Sequence, residues 1–194
     1  MKICKFLIGF GFLFIGSVAM AESSDNSITY FATFSNLSVD DPSGSTESTS
    51  EFSPYNIEWR SKLSKSTRYT AGIHYADFKL NASTTNIGQE VTQLTFSASY
   101  QKKFAISRSI HPFLGVGFSY SQLDVIARHK VDNSGFLSTT YPDRTEDIFS
   151  VNLSADFEYE LNKSLDVGFK LLHRQPLGDG VKDSSFGIAI VYKL

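Results

Sequence analysis

Several ways of building or anchoring a protein are missing from this sequence. It has a single cysteine, Cys4, and a lone thiol closes no internal disulfide. Beyond residue 21 no run approaches 18 consecutive apolar residues, which excludes a helical membrane span in that part of the chain. An excess of basic charge is also missing. Eighteen Lys and Arg stand against 20 Asp and Glu, a balance unlike that of a nucleic-acid binder. The four histidines, His74, His111, His129 and His173, are scattered without paired spacing, so no metal-ligand pattern emerges. No cofactor is implied.

What is present begins with an export signal. Met1-Lys2-Ile3-Cys4-Lys5 is a short basic start, Phe6 to Ile15 is apolar apart from two glycines, and Ala19-Met20-Ala21 gives a small-x-small cleavage pattern. Residues 1–21 are expected to be removed, leaving 22–194 as one domain without cysteine. Loss of Lys2 and Lys5 leaves 16 basic against 20 acidic residues, net −4.

The rest of the chain alternates with period two, the signature of strands with one apolar face. Eight such segments can be read. The first carries Ile28, Tyr30, Ala32 and Phe34, with Phe31 on the wrong face. The second carries Tyr55, Ile57, Trp59 and Leu63 opposite Asn56, Glu58, Arg60 and Lys62, with Pro54 expected at its first residue, where a missing N–H is tolerated. The third has Tyr69, Ala71, Ile73 and Tyr75 against Arg68 and His74, after which Phe78 and Leu80 change phase. This predicts a bulge or a strand that outruns the lipid. The fourth sets Leu94, Phe96, Ala98 and Tyr100 against Gln, Thr and Ser. The fifth sets Leu114, Val116, Phe118 and Tyr120 against a Gly/Ser face that suits a narrow lumen. The sixth runs from Phe149 to Leu161 with Asp156, Glu158 and Glu160 on its polar face. The seventh sets Leu165, Val167, Phe169 and Leu171 against Asp166, Lys170 and Arg174, with Leu172 out of pattern. The eighth ends the chain with Phe186, Ile188, Ile190, Tyr192 and Leu194 on one face and Lys193 on the other.

Segments of roughly 9 to 13 residues suit tilted strands crossing a bilayer. The connections alternate long and short, with polar loops at 36–51, 81–90, 125–146 and 175–183. Small barrels place long loops outside and short turns in the periplasm, and an even strand count puts both ends in the periplasm. Eight of nine tyrosines fall near strand ends. Tyr30, Tyr69, Tyr100, Tyr159 and Tyr192 form an expected periplasmic girdle, and Tyr55, Tyr75 and Tyr120 an outer one. No Lys, Arg, Asp or Glu lies on the expected lipid faces between them. A soluble β-sandwich or lipocalin-type barrel shares the period but would bury the girdle tyrosines. The expected fold is therefore all-β: a transmembrane antiparallel up-and-down barrel of eight strands.

The run His111-Pro112-Phe113-Leu114-Gly115-Val116-Gly117-Phe118-Ser119-Tyr120 and the terminal strand resemble the small eight-stranded outer-membrane barrels: the OmpA transmembrane domain, the OmpX/Ail group and the opacity proteins. The resemblance covers residues 22–194. It implies residence in the outer membrane of a Gram-negative cell, contact with outer-membrane lipid and lipopolysaccharide, and a monomer. It also implies that Phe186, Ile188, Ile190, Tyr192 and Leu194 are read by the outer-membrane assembly machinery. That family usually ends in Phe, whereas this chain ends in Leu194.

The charged lumen positions are Glu58, Arg60, Lys62, Arg68, His74, Asp156, Glu158, Glu160, Asp166, Lys170, Arg174 and Lys193. Isolated buried charges are costly, so these should pair. They form either a structural salt-bridge plug or a gated porin-like pathway for small ions. A lipid A-modifying enzyme is a further alternative, but no histidine has a serine beside it in sequence, and a nucleophile needs its base within reach. No catalytic residue is assigned. The long loops carry an acidic set (Asp40, Asp41, Glu47, Glu51), a basic run (Arg128-His129-Lys130) and apolar Phe136, Leu137 and Tyr141. Arg128-His129-Lys130 is either a solvated strand extension or a contact for lipopolysaccharide phosphates. The loops as a whole suit a surface-interaction or host-binding role.

Overall fold

The computed structural model describes residues 26–40, 46–104, 109–178 and 180–194. The expected signal peptide, Cys4, Asp41 and Arg108 lie outside the described residues. Nine strands follow one another: β1 (Asn26–Asp40), β2 (Thr46–Lys62), β3 (Thr67–Leu80), β4 (Gly88–Lys103), β5 (Ile110–Val131), β6 (Leu137–Thr140), β7 (Arg144–Asn162), β8 (Leu165–Pro176) and β9 (Val181–Lys193). Each wall strand pairs antiparallel with the next, and β1 pairs with β9, so eight of them close into an up-and-down barrel. The ninth, β6, pairs only with the outer end of β5. Closure pairs both edges of the wall strands across the apolar band, which a lipid environment requires; beyond it β2 and β3 part, their pairing ending at Tyr55–Tyr75.

The alternation seen in the sequence sorts residues to two faces. Outward positions are large and apolar and stay open, as at Phe118 (66% exposed), Phe169 (63%) and Ile188 (63%). Inward positions are polar or small and buried, as at Thr29, Arg60, Gln101, Asn152 and Lys170. This is the reverse of a water-soluble barrel, and its outer face is the apolar band of a membrane barrel.

The structure departs from the sequence expectations in informative places. The polar stretches 36–51 and 125–146 are mostly strand rather than loop, because β1 and β2 continue to Asp40 and from Thr46, and β5 continues to Val131. The same inversion explains Phe78 and Leu80. The β3–β4 register runs unbroken from Thr67–Lys102 to Leu80–Gln89, so there is no bulge and the strand outruns the apolar band. Above the band the faces exchange character. Leu37, Phe78, Leu80, Val91, Leu123, Val125, Ile148 and Val181 point inward and form one buried apolar cluster, while Lys79 and Glu90 pair on the outside at 2.7 Å. With polar residues outward and apolar ones inward, such a segment reads as an irregular loop when one lipid-facing pattern is sought.

Pro54 is not at a strand start. Phe31 pairs with Asn56 and Thr33 with Ser53, so Pro54 and Tyr55 oppose the single residue Ala32 in a bulge. A bulge tolerates the missing N–H inside a strand. A second bulge lies at Ala127 (φ 55°), where Gly88 pairs with His129 and Glu90 with Ile126. The extra residue reverses the alternation and turns Arg128 inward. Its guanidinium donates to the Pro142 carbonyl (3.1 Å) and lies over the Tyr141 ring. Arg128 therefore braces the extension of the barrel and is not a solvated surface cation.

The lumen and wall as candidate functional sites

Six charged side chains meet in the middle of the barrel: Glu58 and Arg60 from β2, Arg68 from β3, Asp156 and Glu158 from β7, and Lys170 from β8. Period-two alternation sends all six inward, and all are buried. Arg60 Nε lies 2.8 Å from Glu58, its Nη2 lies 3.1 Å from Asp156, and its Nη1 donates to Glu158. Arg68 donates to Asp156 at 2.9 Å and to Glu158 at 3.0 Å. Lys170 Nζ reaches Glu58 at 3.0 Å and Asp156 at 3.3 Å. Three cations balance three carboxylates, so the low-dielectric interior holds no uncompensated charge. Gln101 extends the network, accepting from Arg68 Nε (2.6 Å) and donating to Asp156 (3.0 Å).

Aromatic rings and missing side chains complete the packing. The Arg68 guanidinium stacks 3.5 Å from the Phe113 ring centroid, and Lys170 lies 5.2 Å from that of Phe31. Phe31, on the wrong face in the sequence reading, is fully buried in the lumen. It also meets the His74 ring edge-on at 5.3 Å. Glycines stand where these large side chains need room: Gly187 opposite Lys170 and Gly168 opposite Glu158. A Cβ at Gly187 would lie 2.1 Å from the Ala32 carbonyl oxygen, and one at Gly168 2.2 Å from that of Phe157. Neither distance is possible without moving backbone.

The remaining lumen residues do not join this cluster. His74 hydrogen-bonds Ser97 at 2.7 Å and makes no ion pair. Arg174 pairs with Asp183 nearer the apolar cluster. Lys193 pairs with Asp166 at 2.7 Å and Glu160 at 3.8 Å at the opposite mouth, which Lys62 also lines. Asp183 was missed by sequence reasoning, and Gln101, expected on the polar face of its strand, was not expected in the charged network. Counting back by twos from Ser185 reaches Asp183, so the period contained the signal, but a Pro-Leu-Gly stretch obscured it. Between the charged and apolar clusters the lumen narrows to a cavity of about 20 Å³ lined by Phe31, His74, Leu172 and Arg174.

On the wall, all eight girdle tyrosines point outward. Tyr69 and Tyr100 meet at 5.7 Å, and Tyr55 and Tyr75 at 6.1 Å. Phenylalanines complete the outer ring, with Phe34 4.9 Å from Phe52 and 5.6 Å from Phe186. The outer tyrosines are anchored above by acids: Tyr75 Oη donates to Asp77 and Tyr120 Oη to Asp147, both at 2.7 Å. Phe186, Ile188, Ile190, Tyr192 and Leu194 all face outward and are exposed. The β1–β9 seam pairs continuously from Ser27–Lys193 to Val39–Val181. The irregularity of β1 lies on its other side, at the Pro54 bulge.

One wall feature corrects the sequence reading. His173 does have a serine beside it: Ser184, its cross-strand neighbour on β9, lies 2.8 Å from Nδ1. The pair sits at the outer end of an apolar groove of about 510 Å³ lined by Leu114, Leu153, Leu171 and Phe186. The partners are on different strands, so no linear motif announced them.

Comparison with known proteins is decided by shape. No protein family matches the sequence, and no curated protein does. Solved structures do match. Neisserial surface protein A superposes with a TM-score of 0.56 at 14% identity, over 87% of this chain and 97% of that one. OprG of Pseudomonas aeruginosa gives 0.55 at 13% over 88% and 96%. Ail, the attachment invasion locus protein of Yersinia pestis, gives 0.53 at 9% over 88% and 99%. Ail is also solved with the heparin analogue sucrose octasulfate. The fold is that of the small eight-stranded outer-membrane barrels. This barrel carries a neutral six-charge cluster in its lumen and an apolar cluster beyond it.

Proposed function

We propose that the protein is a monomeric outer-membrane barrel, closed to solutes, that acts through its surfaces as a structural or ligand-contacting element and carries out no catalysis. The observation that carries this reading is the double seal: six paired charges, then a layer of apolar side chains, on one axis. A conducting pore needs a hydrated path with sites weak enough to release an ion. Here the charges saturate one another. The outer extension then supplies a rigid platform, whose long hairpin holds Phe136 (72% exposed) and Leu137 (65%) at its tip. Loops on a rigid scaffold are where binding sits, and Ail, a barrel of this shape, is solved in complex with the heparin analogue sucrose octasulfate. Lipopolysaccharide and a host surface are the proposed contacts, and the terminal strand is the proposed signal for the assembly machinery.

The test is conductance in planar bilayers. No steady open state is expected from the wild-type barrel. A stable, ion-selective conductance that changes in Glu158→Gln would establish the channel reading instead. The non-catalytic reading has its own test. Mass spectra of lipid A from cells with and without the protein are expected to agree, and a difference that disappears in Ser184→Ala would make His173–Ser184 an active pair.

A further inference from the structure

We propose that the barrel mouth beside the β2–β3 turn is a binding site for a small phosphate-bearing anion. The cavity there is about 360 Å³, within the range of small-molecule sites. Its floor is the lower side of the charged cluster, Arg60 and Arg68, and its walls carry Lys65, Lys103 and Lys193. Three acidic side chains also line it, and all are engaged: Glu158 by both arginines, Asp166 by Lys193, and Glu160, which lies 3.8 Å from both Lys193 and His111 Nε2. Lys65 and Lys103 have no ion-pair partner among the described residues. They are held near each other because the Lys103 N–H donates to the Ser66 carbonyl at 2.6 Å, tying the end of β4 to the turn that bears Lys65. Two further polar atoms of the lining, Asn26 Oδ1 and His111 Nδ1, are buried without a hydrogen-bond partner.

Six cationic side chains against three acidic ones in the lining leave a local positive excess around a preformed cavity, with the Lys65 and Lys103 ammonium groups unpaired above the charge-balanced arginine floor. The ammonium group is a strong point-charge partner for phosphate, and a low-dielectric floor strengthens the attraction. The site's chemistry is independent of the surface role proposed above and of which side of the membrane it faces.

Titration calorimetry of the purified barrel in uncharged detergent, with inorganic pyrophosphate at physiological salt, tests this. Saturable one-site binding is expected, weakened at least tenfold in Lys65→Gln/Lys103→Gln and retained in Lys65→Arg/Lys103→Arg. Lys79→Gln, at the other end of the barrel, should bind as wild type. A gel-mobility shift on heating verifies that each variant is folded. Absence of saturable binding, a double Gln variant within twofold of wild type, or equal weakening by Lys79→Gln would each overturn the site. Nanodiscs with and without phosphatidylglycerol separate two sources of phosphate. Equal pyrophosphate binding in both supports a soluble ligand, and loss in the anionic discs supports a lipid headgroup already in the mouth.

Discussion

Arg60 and Asp156 face each other across the full diameter of the barrel, β2 and β7 being four strands apart in either direction around the wall, and their side chains meet at 3.1 Å on its axis. A bridge of that span fixes the separation of opposite walls. Asp156 also receives Arg68 and Lys170, so one carboxylate ties four strands.

Asp156→Asn should therefore be the most damaging lumen substitution. Removing one partner of a buried ionic cluster costs about 3–5 kcal/mol, since the three cations then face two carboxylates. Denaturant unfolding of the barrel refolded into lipid vesicles measures this. A double-mutant cycle with Arg60→Met should show strong non-additivity, because the second change removes a cation that the first left uncompensated.

Sealing should survive damage to one layer. Leu123→Ser opens the apolar storey but leaves the charged cluster intact, and Glu158→Gln does the reverse. Neither alone is expected to conduct ions in a planar bilayer. A steady open state in either single variant would show that the layers do not seal independently.

Gly187→Val should block assembly. The added Cβ would sit 2.1 Å from the Ala32 carbonyl oxygen, at the β1–β9 seam that closes the barrel, and backbone on both strands would have to move. The heat-dependent gel shift of a closed barrel should be lost. Gly135→Ala, in the open hairpin tip where nothing lies within 4 Å, should keep the shift, although its φ of 82° adds local strain of about 1 kcal/mol.

Deleting Tyr192 to Leu194, or changing Leu194→Asp, should prevent membrane assembly while export continues. Normal surface levels of either variant would show that the terminal strand is not the signal proposed here.

The sequence alone carried the barrel, its eight wall strands, the outward tyrosines and the inward charges. Each follows from period two, a local property that a strand imposes whatever its partners. It also sufficed for the inward direction of Glu58, Arg60, Asp156, Glu158 and Lys170. It did not show which charges touch. Arg60 is 96 residues from Asp156, and only barrel closure makes them neighbours. Tertiary structure likewise decided the role of Phe31, Phe78 and Leu172, which break the lipid-facing pattern because they pack inside. It paired His173 with Ser184 across two strands, and it placed Lys65 and Lys103 at one mouth. The physical reason is common to all of these. Alternation sets the face a side chain takes, whereas register, bulges and closure set what it meets there.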